Sequence, residues 1–317
     1  MTATGAQAIG LDVGGTKTAA IRVTVEGGVL ARRTLPTPAN DMQATLDTMV
    51  EVARAVIAPE VRAIGIGAAG LVEKDTGRLT FAPNLAWRNV PLAQHLWDAL
   101  GLPTLADNDA NAAAWGEFRL GAAAGHRHVL FAGAGTGIGG GIIIDGQLLR
   151  GAHGFAGEIG HIIVDPDGPL CGCGNHGCWE QFASGHAISR AGREAARQHP
   201  QSMIARRCGG DPAQVTGPIV SEAARAGDPV ARGILAAVGR SLGEGLAGLA
   251  NVLDPDIVVV GGGAAAAGNL LMEPARAAFV SSIEAAAHRP RVPLVTASLG
   301  NDAGAIGAAM MALETLT

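Results

Sequence analysis

The sequence predicts an α/β protein built from two related domains that face one another across a cleft. Three observations carry this expectation. Strand-like apolar runs alternate with helical text, a strand meander near the N-terminus recurs in mid-chain, and three strands run into glycine-rich turns. The 317 residues suffice for about two domains with a large core.

Residues 7–13 form a strand that enters Gly14-Gly15-Thr16. Residues 19–25 return, Gly27-Gly28 turns, and residues 29–35 complete the meander. A helix is expected over residues 42–56 and a strand over 62–68. A further strand over 103–106 enters Asp107-Asn108-Asp109, with a helix from about Ala110. The meander then recurs as strand 128–132, turn 133–137, strand 139–144, turn Asp145-Gly146 and an exit over 147–150. Gly15-Thr16 and Gly135-Thr136 lie 120 residues apart, as duplication requires, although a glycine-rich composition could also yield two such hairpins. Residues 208–216 read as a loop. Residues 229–253 form a long helix in which Leu235, Val238, Leu242, Leu246 and Leu249 keep 3/4 spacing. Gly239, Gly243 and Gly248 would let a neighbour approach it closely, and Asp254-Pro255 ends it. A buried-type strand over 257–260 runs into Gly261-Gly262-Gly263, and the last helix covers about 303–313, with Met310 and Met311 as core filler. The expected domains are a small one over 1–110, with helix 303–317 packed back on it, and a large one over 111–302.

Composition narrows the function. The 47 glycines are about twice the usual share. With 16 prolines, no Gly-X-Y period and 48% hydrophobic residues, the chain is neither collagenous nor disordered. Such an excess marks backbone that turns sharply or approaches a ligand. No segment has the roughly 20 apolar residues of a membrane span, and MTATGAQAIG lacks the basic start and apolar run of a leader. A cytoplasmic protein with no membrane partner is expected. A net charge of −5 without a basic run argues against nucleic acid.

The three glycine turns can gather backbone N–H groups on an anion, with Thr16 and Thr136 adding hydroxyl donors. Each alone is equally a plain hairpin turn. Together they favour a nucleotide phosphate site. Gly135-x-Gly137-x-x-Gly140 matches the dinucleotide fingerprint, but a strand rather than a helix is expected after it, so that reading fails. Asp12 ends a strand beside the first turn, where it can hold Mg²⁺ through water or merely cap the turn. In Asp107-Asn108-Asp109-Ala110-Asn111 one residue is expected to cap the helix. The functional alternative makes Asp109 a general base and Asn108 a hydroxyl-binding group. Cys171, Cys173 and Cys178 fall within eight residues, poor spacing for disulfides and good spacing for metal. With His161 they make a closed tetrahedral set suited to structural zinc, which leaves no open position for catalysis. Glu158 and Glu180 flank the set. Either could be a solvated surface acid, but zinc would pin both near one spot, where carboxylates accept from sugar hydroxyls.

These residues resemble the ROK family of bacterial sugar kinases and repressors. The resemblance rests on Asp12-Val13-Gly14-Gly15-Thr16-Lys17, Asn108-Asp109-Ala110-Asn111, Gly135-Thr136-Gly137-Ile138-Gly139-Gly140-Gly141, Ala156-Gly157-Glu158-Ile159-Gly160-His161 and the run from Cys171 to Glu180. Within the family the chain is most similar to the actinobacterial-type glucokinases. The resemblance implies an actin-like, hexokinase-like (ribonuclease H-like) ATPase fold and transfer of the γ-phosphoryl group of ATP to the 6-hydroxyl of a hexose, glucose first. It implies Asp109 as the base, and Asn84, Asn108, Asp109, Glu158, His161 and Glu180 as sugar contacts. Asp12, Gly14, Gly15, Thr16, Thr136 and Gly137 would serve the phosphates and Mg²⁺, and Gly261 and Gly262 the adenosine. His161, Cys171, Cys173 and Cys178 would hold structural Zn²⁺. Repressor members carry an N-terminal helix-turn-helix, for which the position of Asp12 leaves no room. Alternatives are a kinase for an N-acetylated hexosamine or another hexose, polyphosphate in place of ATP, and a non-catalytic sugar sensor. A homo-oligomer, dimer or tetramer, is expected.

Overall fold

Burial on both faces decides which strands lie at the centre, and the first strand meets that condition along most of its length. The computed structural model describes residues 5–82 and 87–316. The chain runs β1 (Gln7–Val13), β2 (Lys17–Thr24), β3 (Val29–Pro36), α1 (Met42–Val56), β4 (Val61–Ala68), three short strands β5 (Leu71–Val72), β6 (Arg78–Phe81) and β7 (Arg88–Pro91), then α2 (Leu92–Leu100), β8 (Thr104–Asn108) and α3 (Asp109–Leu120). There follow β9 (Val129–Ala134), β10 (Ile138–Ile144), β11 (Gln147–Leu148), α4 (Glu180–Ala183), α5 (Gly185–Gln198), α6 (Met203–Arg207), α7 (Gly217–Arg225), α8 (Pro229–Leu253), β12 (Ile257–Gly261), α9 (Asn269–Ser282), β13 (Leu294–Thr296) and α10 (Ala303–Leu316). The loop expected over 208–216 holds only a single 3₁₀ turn, Pro212–Gln214.

Two compact units emerge. One comprises Met1–Phe131, Gly140–Gly157 and Ala297–Thr317, the other Ala132–Gly139 and Glu158–Thr296. In the first unit the sheet order is β3-β2-β1-β4-β8. β1 pairs antiparallel with β2 and parallel with β4, which pairs parallel with β8. On one face α1 buries Leu46, Met49, Val52 and Val56, at 3/4 spacing, against Ile9, Leu11, Ile64 and Ile66. Asp41 caps that helix by accepting from the Ala44 N–H at 3.0 Å. On the other face α10 lies with its backbone on the strands. A Cβ at Gly10 would sit 1.8 Å from the Ala305 carbonyl oxygen, and one at Gly65 1.8 Å from that of Ala308. Met310 and Met311 are buried, as core filler should be.

The second sheet has the order β11-β10-β9-β12-β13. It repeats the first: a meander laid outward from its first strand, then two strands on the other side. Strand ends set the two turns 121 residues apart, one more than the motif offset, since β2 starts at Lys17 and β10 at Ile138. The strand after Gly135-x-Gly137-x-x-Gly140 is β10, so no dinucleotide fingerprint is present. α8 packs on α9 through two of its three expected glycines. A Cβ at Gly239 would meet the Leu271 carbonyl oxygen at 2.4 Å, and one at Gly243 that of Ala275 at 2.1 Å, whereas Gly248 faces open space. Among the described residues no helix is long and apolar enough to cross a membrane.

Candidate active site

The register of the first sheet assembles one half of the candidate residues. Asp12 of β1 pairs with Gly67 of β4, and Gly67 with Asp107 of β8. Asp12 and Asp109 therefore stand at the carboxyl ends of parallel strands, where α/β sheets bind ligands. Gly304, at the start of α10, leaves room beside both. A Cβ there would lie 3.8 Å from the Asp12 carboxyl carbon and 3.8 Å from the Asp109 backbone oxygen. Burial pushes the Asp12 carboxyl up to about 6, the Asp109 charge adds to that, and Lys17 opposes it. Burial also raises Asp109, whose Oδ1 accepts from the Ala110 N–H at 2.9 Å.

Asn108 is the cap of α3. Its Oδ1 accepts from the N–H groups of Ala110 (2.8 Å) and Asn111 (3.1 Å), and its Nδ2 donates to the Gly70 carbonyl at 3.1 Å. One amide proton is left for a ligand. The first turn closes with the Gly14 N–H donating to the Lys17 carbonyl at 3.1 Å, which sets Gly14, Gly15 and Thr16 directly after the strand bearing Asp12. Asn84 lies outside the described residues.

The second unit gathers the metal set. The donor atoms of His161, Cys171, Cys173 and Cys178 all lie within 4.8 Å of one another. Cys173 Sγ is 3.6 Å from Cys178 Sγ, and Cys171 Sγ is 3.6 Å from His161 Nδ1. Zinc–sulfur bonds of about 2.3 Å at tetrahedral angles require sulfur–sulfur edges of about 3.8 Å, so spacing and donor chemistry both fit the ion. Backbone bonds shape the knot: the Cys171 N–H donates to the Asn175 carbonyl at 2.8 Å and the Gly177 N–H to that of Pro169 at 2.9 Å. Trp179 is a buried anchor. Its indole donates to the Ser241 carbonyl at 2.8 Å, and its ring occupies the space beside Gly245 of α8.

With Nδ1 toward the sulfurs, His161 turns Nε2 toward Glu158, 3.8 Å from its Oε2. Glu180 ties the knot to the second glycine turn. Its Oε1 accepts from the Cys171 thiol at 3.0 Å and its Oε2 from the Ile138 N–H at 3.3 Å. Gly137 is what admits it, for a Cβ there would lie 2.1 Å from Glu180 Oε2. Burial, then the bond to Glu180, raises the Cys171 thiol. The turn itself hangs on the start of α5, the Gly135 and Thr136 carbonyls accepting from Gly185 (2.8 Å) and His186 (3.1 Å) N–H groups. Gly262 lies against the backbone of Ala134, the last residue of β9 before the second glycine turn.

Two buried carboxylates escaped sequence reasoning. Glu117 is fully buried and accepts from Ala122, Ser298 and Leu299 N–H groups, fixing the chain just before α10. Asp107 accepts from Asn108, Asn111 and Arg150. The available signal was a carboxylate at the end of a buried strand, which the neighbouring Asp109 overshadowed.

A family model described as the ROK family matches residues 8–315. The chain is 43% identical over 309 residues to a glucokinase of Streptomyces coelicolor, covering 96% of this chain and 97% of that one. It is 36% identical to a glucokinase of Thermotoga maritima, covering 97% and 98%. Among solved structures, a ROK family glucokinase from Streptomyces griseus in complex with glucose and AMPPNP superposes with a TM-score of 0.90 at 43% identity, covering 97% of this chain and 99% of that one.

Proposed function

This chain belongs to the ROK family, and from that premise we propose that it transfers the γ-phosphoryl group of ATP to the 6-hydroxyl of glucose. The observation that carries the reading is near-full-length similarity to glucokinases, 43% identity across 96% of the chain, with Asp109 at the start of α3 where a base is needed.

Asp109 accepts the proton of the 6-hydroxyl. Burial raises its pKa above the usual carboxylate value, and a positioned general base is worth about 10²–10⁴-fold. Asn84, Asn108, Glu158, His161 and Glu180 bind the other hydroxyls. The carboxylates accept O–H groups, and Asn108 donates its remaining amide proton. Backbone N–H groups at Gly14, Gly15 and Gly137, with the Thr16 and Thr136 hydroxyls, hold the phosphates, while Gly261 and Gly262 serve the adenosine side. Asp12 would hold Mg²⁺, which offsets phosphate charge when bound; burial, and after it the Asp109 charge, raises Asp12, and a divalent cation beside it opposes both. His161, Cys171, Cys173 and Cys178 would hold Zn²⁺ in a purely structural role that fixes His161 directly and Glu180 through the chain two residues after Cys178, the Cys171 thiol losing on ligation the proton it otherwise donates to Glu180. A cytoplasmic homo-oligomer completes the reading.

The test is release of ADP in a coupled assay with glucose and ATP. Asp109→Asn is expected to lose at least about 10²-fold in kcat with little change in KM for ATP. A variant that keeps most of the wild-type rate overturns the assignment of the base. Following formation of the sugar phosphate instead, with N-acetylated hexosamines as acceptors and polyphosphate in place of ATP, decides the acceptor and the donor.

A further inference from the structure

An arginine that the mechanism above leaves unused holds the carboxylate next to the base. Asp107 is buried at the end of β8 with 5% of its surface exposed. Its Oδ1 accepts from the Asn108 N–H at 2.8 Å and from Asn111 Nδ2 at 2.9 Å. Its Oδ2 accepts from Arg150 Nε at 2.6 Å, a charge-assisted bond at the short end of the range. The bond to the Asn108 N–H fixes the peptide at which β8 becomes α3, and Asp109 is the first residue of that helix.

The same group of side chains lies near both ends of the segment that leads to Glu158. Arg150 opens that segment. Asn111 is fully buried and donates one amide proton to Asp107, while its Oδ1 has no protein donor and lies on the side of Gly157. Gly157 has a φ of +94°, and a Cβ there would lie 2.8 Å from the Gly140 carbonyl oxygen and 3.7 Å from Asn111 Oδ1. Between these points the segment is tied down again, the Lys74 amino group donating to the Gly151 carbonyl at 3.2 Å and the Lys74 N–H to that of His153 at 3.2 Å. The residue after Gly157 is Glu158.

We propose that Arg150 is a positioning residue for phosphoryl transfer: acting through Asp107 and Asn111, it sets the aim of Asp109 and the path of the segment that delivers Glu158. The proposal rests on the kinase reading and deepens it. A lock of this kind acts on geometry, and a misplacement of about 1 Å can cost 10²-fold in rate.

The test is steady-state glucose phosphorylation by the wild-type chain and by Arg150→Met, Arg150→Lys and the double variant Asp107→Asn/Arg150→Met. Without turnover by the wild-type chain, both the kinase reading and this proposal fall. With it, Arg150→Met is expected to lose about 10–100-fold in kcat, with KM for ATP within about twofold of wild type. Arg150→Lys should recover to within about fivefold of wild type, because a single charged nitrogen suffices at Oδ2. The double variant separates positioning from mere charge compensation. It removes the buried charge along with its partner and keeps an acceptor for Asn108 and Asn111, so it restores folding even where Arg150→Met alone does not. Its kcat should stay at least about tenfold down. The proposal is overturned by Arg150→Met within about threefold of wild type, or by a double variant that regains the wild-type kcat.

Discussion

The two glycine turns join strands of like topology, yet they obtain their acid in different ways. In the first, the carboxylate is part of the strand: Asp12 is the penultimate residue of β1, with only Val13 between it and the turn. In the second, the equivalent stretch of β9 is Ala132-Gly133-Ala134 and has no acid to offer. Its carboxylate comes from Glu180, 42 residues along the chain, docked on the Ile138 N–H. An acid built into a strand is placed by the sheet register and bears the cost of burial. A borrowed acid has to be placed by something else, and here that is the Cys/His knot. Two turns of like topology therefore differ in the source of their acid, the strand itself in the first and the segment between β11 and α5 in the second.

The largest effect that could break this contrast is Asp12→Asn. Loss of the strand acid should cost about 10²-fold or more in kcat, since it removes the residue that would hold the phosphate-bound cation. The same change should stabilise the fold near neutral pH. Asp12 titrates at about 6 when folded, above its unfolded value near 4, so between these the folded chain binds the extra proton. Stability of the wild type measured without nucleotide or Mg²⁺ should then fall as the pH rises from about 4 to 6. Asp12→Asn should lack that fall, so that the two melting curves converge near pH 4 and separate above it. Parallel pH dependences would show that Asp12 bears no such burden.

Gly137→Ala tests the borrowed acid, with a smaller effect. The new methyl would land on the free end of the Glu180 side chain, not on backbone. Glu180 should therefore swing away while the fold holds, with a stability change within about 1 kcal/mol. Losing one placed hydroxyl acceptor should raise KM for glucose about tenfold. Elemental analysis should still find about one zinc per chain, because Glu180 is outside the ligand set. A tenfold loss accompanied by loss of zinc would mean that the carboxylate holds the knot together, which reverses the direction of support argued above.

The same contrast explains what was legible in the sequence. Both meanders, α1, α8 and the gathering of His161 with the three cysteines could be read because short-range signals fix them: alternation of two, a 3/4 stripe, turn glycines and clustered thiols. Helix α1 spans Met42–Val56 and α8 spans Pro229–Leu253, as the stripe requires. The docking of Glu180 on Ile138 could not be read, because it depends on how a 42-residue excursion returns. Nor could Arg150 on Asp107, or Glu117 on the chain before α10, where separations of 43 and 181 residues leave no local trace. Helix α9 was hidden by Pro274 inside it, which local rules read as a break. Strands β5 and β13 are two and three residues long, too short for alternation to register.

The smallest effect concerns how the second unit is packed, where the sequence treated three glycines of α8 alike and the structure does not. Gly243 lies against the backbone of α9, with a Cβ position 2.1 Å from the Ala275 carbonyl oxygen, while Gly248 has nothing within 4 Å. Backbone cannot swing aside as a carboxylate can, so Gly243→Ala must separate two helices. Such overpacking costs about 1–3 kcal/mol. Gly248→Ala meets no neighbour and gains the helix propensity of alanine, so it should stabilise the chain by about 0.5–1 kcal/mol. Chemical denaturation of the two variants measures both. If Gly248→Ala instead weakened the chain as much as Gly243→Ala, the exposed face of α8 would have to pack against something, and a second copy of the chain, separable by dilution, would be the first candidate to test.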